Sequence, residues 1–146
     1  MQIIDSTNIN VVNTVNNVHK EITDETCFES CSNIKCMSLN ADSLSNKMSE
    51  LTSITDTVNP DIRCVTEVYP KRYRFATEDS ELSLQNYDLF KSAQVQGCRG
   101  CAIYIKKSLK ANNCDIISTY QDGIWCYLNL TGNDVLLIGC VYRHHE

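Results

Sequence analysis

Between residues 34 and 40 apolar and polar side chains alternate: Ile34, Lys35, Cys36, Met37, Ser38, Leu39, Asn40. A period of two is the signature of a strand. Asp42 and Ser43 come next, residue types that start helices. Leu44, Met48, Leu51, Ile54 and Val58 then recur at spacings of four, three, three and four, which is one face of an α-helix. Pro60 disfavours helical backbone at Asn59, so the helix should close there with Asn59 extended. Residues 62–67 (Ile-Arg-Cys-Val-Thr-Glu) read as a second strand that finishes on a carboxylate. Strand, helix and strand with short joints predict a crossover unit with a parallel pair.

The second half changes character. A basic, aromatic loop at 69–75 and an acidic one bearing Glu78, Asp79 and Glu81 lead into short strand-like pieces at 87–90, 101–106, 115–119, 124–130 and 135–142. Thr131-Gly132-Asn133-Asp134 has the chemistry of a hairpin turn. In 124–130 one face carries Ile124, Cys126, Leu128 and Leu130, which should point inward. Trp125 and Tyr127 should lie against a helix or partly exposed. The predicted class is α/β, a mixed sheet with an N-terminal βαβ unit followed by antiparallel strands. One clear helix is too few to cover so many strands, so the layering should be incomplete. Residues 1–33, with Asn at 8, 10, 13, 16 and 17 and an acidic stretch, hold no sustained period and read as a poorly ordered leader.

The 146 residues amount to one domain or part of a larger one. At 42% apolar and 21% charged the composition excludes a wholly disordered chain. The longest near-apolar run, 135–142, is far short of the roughly 20 residues of a spanning helix. The first residues lack the basic start and apolar stretch of a secretion signal. The expectation is a soluble intracellular protein, nuclear or cytoplasmic, not secreted and not at a membrane. Net charge is −5. The first 33 residues account for −4 of it, and nine of the 13 basic residues lie between Arg63 and Lys110. That argues against simple DNA coating but leaves room for an enzyme with a local basic rim. Nine cysteines cannot all pair, and free thiols are expected. Cys36, Cys64, Cys101, Cys126 and Cys140 sit among apolar neighbours and should pack as small hydrophobes.

Three constellations could carry chemistry. Asn40 and Glu67 lie at the carboxyl ends of neighbouring parallel strands, the edge where α/β sheets bind ligands. A carboxylate with an amide oxygen suits a hard divalent cation completed by water and phosphate. Tyr142 and Arg143 end the last strand, where a phenol and a guanidinium could hold a phosphate. The unspecialised readings are a capping Asn, a surface Glu and a solvated Arg. The third constellation is Cys98-x-x-Cys101 with Cys27, Cys31, His144 and His145, a zinc reading. It is disfavoured because the pairs are far apart and Cys101 opens an apolar strand.

Together these pieces resemble a known family. Residues 34–44 with Asn46-Lys47 and Glu50-Leu51 look like its opening strand and helix. Asn59-Pro60-Asp61-Ile62 with Thr66-Glu67 looks like its second strand. Residues 99–106 (Arg-Gly-Cys-Ala-Ile-Tyr-Ile-Lys) and 137–143 (Leu-Ile-Gly-Cys-Val-Tyr-Arg) complete the run. The family is the endonuclease/exonuclease/phosphatase superfamily with the DNase I-like fold, and the branch is the apurinic-endonuclease-like domain of non-LTR retrotransposon polyproteins. The resemblance spans residues 34–146. It implies a four-layer α/β sandwich and hydrolysis of DNA phosphodiesters dependent on Mg (or Mn). It further implies a downstream reverse transcriptase in the parent polyprotein. It assigns the metal-binding carboxylate to Glu67, the amide near metal and phosphate to Asn40, and the phosphate-contacting phenol to Tyr142. Lys71, Arg72 and Arg143 are the expected nucleic-acid contacts.

The sequence also departs from the family. An Asp-x-Asn motif and a Ser-Asp-His motif, which carry the transition-state pair, a further carboxylate and the general base, are missing from these residues. His144 and His145 do not replace them. Cys98 and Cys101 stand where relatives carry Gly and an aliphatic residue. Asp42 stands where many carry a basic one, which weakens contact with nucleic acid. The expectation is an N-terminal portion of an endonuclease domain, inactive alone. One alternative is a non-catalytic remnant that binds partners or itself through open sheet edges. The other is the same fold acting on a phosphoinositide or another phosphoester.

Overall fold

The computed structural model describes residues 33–114 and 122–143. The expected leader, the 115–119 strand and His144–His145 fall outside these residues.

β1 (Cys36–Asn40) and β2 (Ile62–Thr66) pair in parallel, joined by α1 (Met48–Val58). β3 (Tyr87–Lys91) and β4 (Cys101–Lys106) add antiparallel, giving a sheet ordered β1-β2-β4-β3. A second sheet, β5-β6-β7, is formed by β5 (Asn112–Asn113), β6 (Gly123–Asn129) and β7 (Val135–Val141). The β6–β7 hairpin turns through Thr131–Asn133, as the turn chemistry indicates. Helix, sheet and sheet make three layers among the described residues.

The near-continuous apolar runs of β2 and β4 follow from burial on both faces. Ile62, Cys64, Cys101, Ile103 and Ile105 face the second sheet and meet Cys126, Leu128, Ile138 and Cys140 there. Val65, Ala102 and Tyr104 face the other way, onto Leu44, Leu51, Tyr69 and Leu82. The seven described cysteines are free, and Cys64, Cys101, Cys126 and Cys140 are buried. Burial pushes the Cys126 thiol up to about 12, so these groups pack as hydrophobes rather than react.

The helix differs from its sequence reading in three places. Its first turn is a 3₁₀ segment, Leu44–Lys47, and Ser43 makes no side-chain cap. Asn59 is left-handed, not extended (φ 49°), and its N–H closes on the Thr55 carbonyl. Asn tolerates that conformation, so the C-cap outweighs the restriction set by Pro60. The buried stripe runs through Leu51 and Thr55, while Val58 is exposed. The cause is Arg63, buried on β2 beneath the helix. Its guanidinium donates to the Leu51 carbonyl at 2.9 Å and to the Thr55 hydroxyl.

Candidate active-site edge

Parallel pairing places Asn40 in register with Thr66, so the two strands end together. The chains continue to bond beyond the sheet. Ala41 N–H donates to the Thr66 carbonyl (2.9 Å), and Ser43 N–H to the Glu67 carbonyl (2.8 Å). Asp42, Ser43 and Glu67 all have positive φ (44°, 82° and 55°). Each such non-glycine residue costs about 1–2 kcal/mol. Strain of this kind concentrates at functional sites. Here it turns the Glu67 side chain toward Asn40.

Both Glu67 oxygens are engaged. The Asn40 amide nitrogen donates to Oε1 at 2.6 Å, while Asn40 Oδ1 accepts the Asp42 N–H at 3.1 Å. Arg99 Nη2 donates to Oε2 at 2.8 Å and also contacts the Asp42 carboxylate. The Tyr142 hydroxyl hydrogen-bonds to Glu67 as well. Desolvation by itself would raise the Glu67 carboxyl. The hydrogen bonds from Asn40 and Tyr142, with the Arg99 charge, outweigh it and hold the group below the usual carboxylate range. Tyr142 moves up, through its own desolvation and then through the neighbouring carboxylate, and stays a phenol.

Asp122 braces this edge from beneath. Its carboxylate accepts the N–H groups of Gly100 (2.8 Å) and Arg99 (3.3 Å), and its carbonyl accepts the Tyr142 N–H (2.8 Å). One buried residue therefore seats both the guanidinium and the phenol. A cavity of about 330 Å³ opens among Glu67, Lys71, Gly97, Cys98, Arg99 and Tyr142. A larger one, about 570 Å³, lies at the opposite end of the sheet near Asn59 and Lys106. The Lys106 ammonium there pairs with Asp61 at 2.9 Å.

The structure thus brings Asn40, Glu67 and Tyr142 together, with Lys71 on the cavity wall. Arg72 and Arg143 are exposed and do not line the cavity. Sequence reasoning did not find Arg99, Asp42 or Asp122 as site residues. They approach from 57 and 22 residues away along the chain, and no local spacing reports such contacts. The available signal was the unusual start of β4, an arginine and a glycine immediately before a strand buried on both faces. The zinc arrangement does not form at Cys98 and Cys101, because the Cys101 thiol is turned into the core and donates to the Asp122 carbonyl. The other ligands of that reading fall outside the described residues.

The donor set fits a hard cation. Two carboxylates converge on a single nitrogen, Arg99 Nη2, which marks a point where positive charge is held. No cluster of three or more His, Cys, Asp or Glu side chains is present among the described residues. Magnesium commonly takes only one or two carboxylates and keeps its waters. Glu67 and Asp42 would be its protein ligands. The Asn40 amide, as oriented, positions Glu67.

No family model and no curated protein matches the chain. Among solved structures it is similar to an AP endonuclease from Leishmania major, with a TM-score of 0.55 and 16% identity. The match covers 75% of this chain and 40% of that one. The likeness shows a shared α/β fold of the DNase I-like kind. Among the described residues no helix is long and apolar enough to cross a membrane.

Proposed function

We propose that residues 34–146 form the N-terminal portion of a magnesium- or manganese-dependent DNA endonuclease domain of the retrotransposon type. One observation carries the reading: at the carboxyl edge of a parallel strand pair, Glu67 and Asp42 share one cationic nitrogen beside Asn40 and Tyr142. A divalent cation bound there would act as a Lewis acid on a phosphodiester oxygen. Asn40 fixes the Glu67 carboxylate. Tyr142 offers a neutral hydroxyl to phosphate. Lys71 and Arg99 supply positive charge at the cavity, and Arg72 and Arg143 extend it toward DNA. The retrotransposon assignment, and with it a reverse transcriptase in the parent polyprotein, rests on the strand motifs.

The Asp-x-Asn and Ser-Asp-His motifs that would supply the transition-state pair and the general base are missing from these residues. The chain is therefore proposed to hold metal and phosphate without turnover. A second reading has a specific observation behind it. Arg99 already neutralises both carboxylates, as a permanent counter-ion would in a non-catalytic binding module, and β1 and β3 are edge strands among the described residues, where a partner could add. A phosphoesterase acting on another substrate shares the same edge.

Calorimetric titration with manganese separates these readings. One site is expected in the wild type, lost in Glu67→Gln and weakened in Asp42→Asn, with plasmid nicking at background. Absence of binding, or binding indifferent to Glu67→Gln, supports the counter-ion module and overturns the nuclease reading. Robust nicking overturns the expected inactivity.

A further inference from the structure

The loop that leaves the site edge is pinned at both ends and bare in the middle. At its root Tyr69 is fully buried, with its hydroxyl donating to the Ser92 carbonyl at 2.6 Å and its N–H to the Arg99 carbonyl at 2.8 Å. At its far end Thr77 N–H donates to Gln94 Oε1 at 2.7 Å, and Glu78 and Glu81 form a capping box on the 3₁₀ turn Asp79–Leu82. Between these anchors run Lys71, Arg72, Tyr73, Arg74 and Phe75. Phe75 is 84% exposed, the most of any large apolar side chain among the described residues. A single exposed apolar residue is ordinary. What distinguishes Phe75 is its company. The ion pairs among the described residues involve Lys91, Arg99 and Lys106, so Lys71, Arg72 and Arg74 have no carboxylate partner among the described residues. Lys71 also lines the cavity of Glu67 and Tyr142. Phe75, four residues on, lies within about 14 Å of that wall.

From this arrangement we infer that residues 71–75 form a single-strand nucleic-acid clamp, in which Phe75 stacks on an unpaired base while Arg72 and Arg74 hold the flanking phosphates. The inference deepens the nuclease reading and rests on it for the choice of ligand. Cations alternating with an aromatic face match a polymer that alternates phosphate with flat bases. Pinning both ends lowers the ordering cost of presenting the ring. The clamp would deliver the strand to the cavity edge rather than take part in chemistry.

The test is binding without divalent metal, read by fluorescence of Phe75→Trp in chelator. Phe75 is solvent-exposed, so both substitutions at 75 should leave the thermal melt unchanged. A mixed-sequence single-stranded oligonucleotide should quench the new tryptophan, whereas heparin, a polyanion without bases, should not. Phe75→Ala should weaken strand binding about tenfold, since stacking on one base is commonly worth that much or more. Arg72→Gln with Arg74→Gln should flatten the salt dependence by about one phosphate contact or more. Equal affinity for wild type and Phe75→Ala, quenching by heparin, or a response to phosphatidylserine vesicles but not to the strand would each overturn the clamp. Because no metal is present, such a failure leaves the Glu67 titration to judge the nuclease reading separately.

Discussion

Arg99→Ala should cost about 3 kcal/mol of stability in urea unfolding and, at the same time, tighten divalent-cation binding at least tenfold. The Arg99 side chain is 5% exposed and Glu67 16%. Breaking a buried pair of this kind costs about 3–5 kcal/mol. The lower end applies because Glu67 keeps Asn40 and Tyr142, and because the Asp42 partner is 73% exposed and contributes little. Without the guanidinium, two carboxylates face one another with no cation between them. A divalent ion then binds without displacing anything, and near saturation, at about 100 times Kd, it should restore roughly 2.7 kcal/mol. Arg99→Ala combined with Glu67→Gln should show no such rescue. The acid limb checks the sign. A carboxyl held low in the folded state stabilises it fully above the unfolded value, about 4.3, and that stabilisation fades as pH falls through the lower folded value. The advantage of wild type over Arg99→Ala should therefore shrink in that acid window. A variant as stable as wild type, with unchanged metal affinity, would show that the ion pair is incidental.

Gly100→Ala should be the most damaging conservative change on the β4 side of the site. A Cβ at Gly100 would lie 2.4 Å from Tyr69 Cδ2 and Cε2 and 3.2 Å from Ser92 Oγ. The Tyr69 ring cannot yield, because it is fully buried and tied to the Ser92 carbonyl. Overpacking adds about 1–3 kcal/mol and the positive φ about 1–2 more, for a loss of roughly 3–4 kcal/mol in chemical denaturation. Gly97→Ala is the control. It too has positive φ, but nothing lies within 4 Å, so it should lose only the backbone part, about 1 kcal/mol. The damage should also reach function. Tyr69 N–H bonds to the Arg99 carbonyl, so a displaced Tyr69 moves the residue that holds Glu67. Equal losses for the two glycine variants would refute the contact argument.

What could be read from the sequence was what local pattern encodes. The extent of β4 was visible because its first five residues, Cys101 to Ile105, are buried and leave an uninterrupted apolar run. The meeting of Asn40 with Glu67 followed from one inference, that strand, helix and strand pair in parallel. Arg63 was not legible, since a basic residue in a strand reads as solvent-facing, and only the helix carbonyl and hydroxyl above it make burial tolerable. Hydrophobic periodicity favours Ile54 over Thr55 for the same reason, because the burial of Thr55 is set by polar contacts that periodicity does not record. By residue type Asp42 reads as a helix starter. Its role depends on a guanidinium arriving from a distant loop, and that loop is set in turn by Asp122.

The location of a bound ion tests the central claim most directly. In crystals soaked with manganese, the anomalous difference map should show one peak bonded to Glu67 and Asp42, with the Arg99 guanidinium swung away from both carboxylates. A peak elsewhere, or none, with the Arg99–Glu67 pair intact, would contradict a metal-dependent nuclease edge and leave a sandwich whose acidic corner is closed by its own arginine.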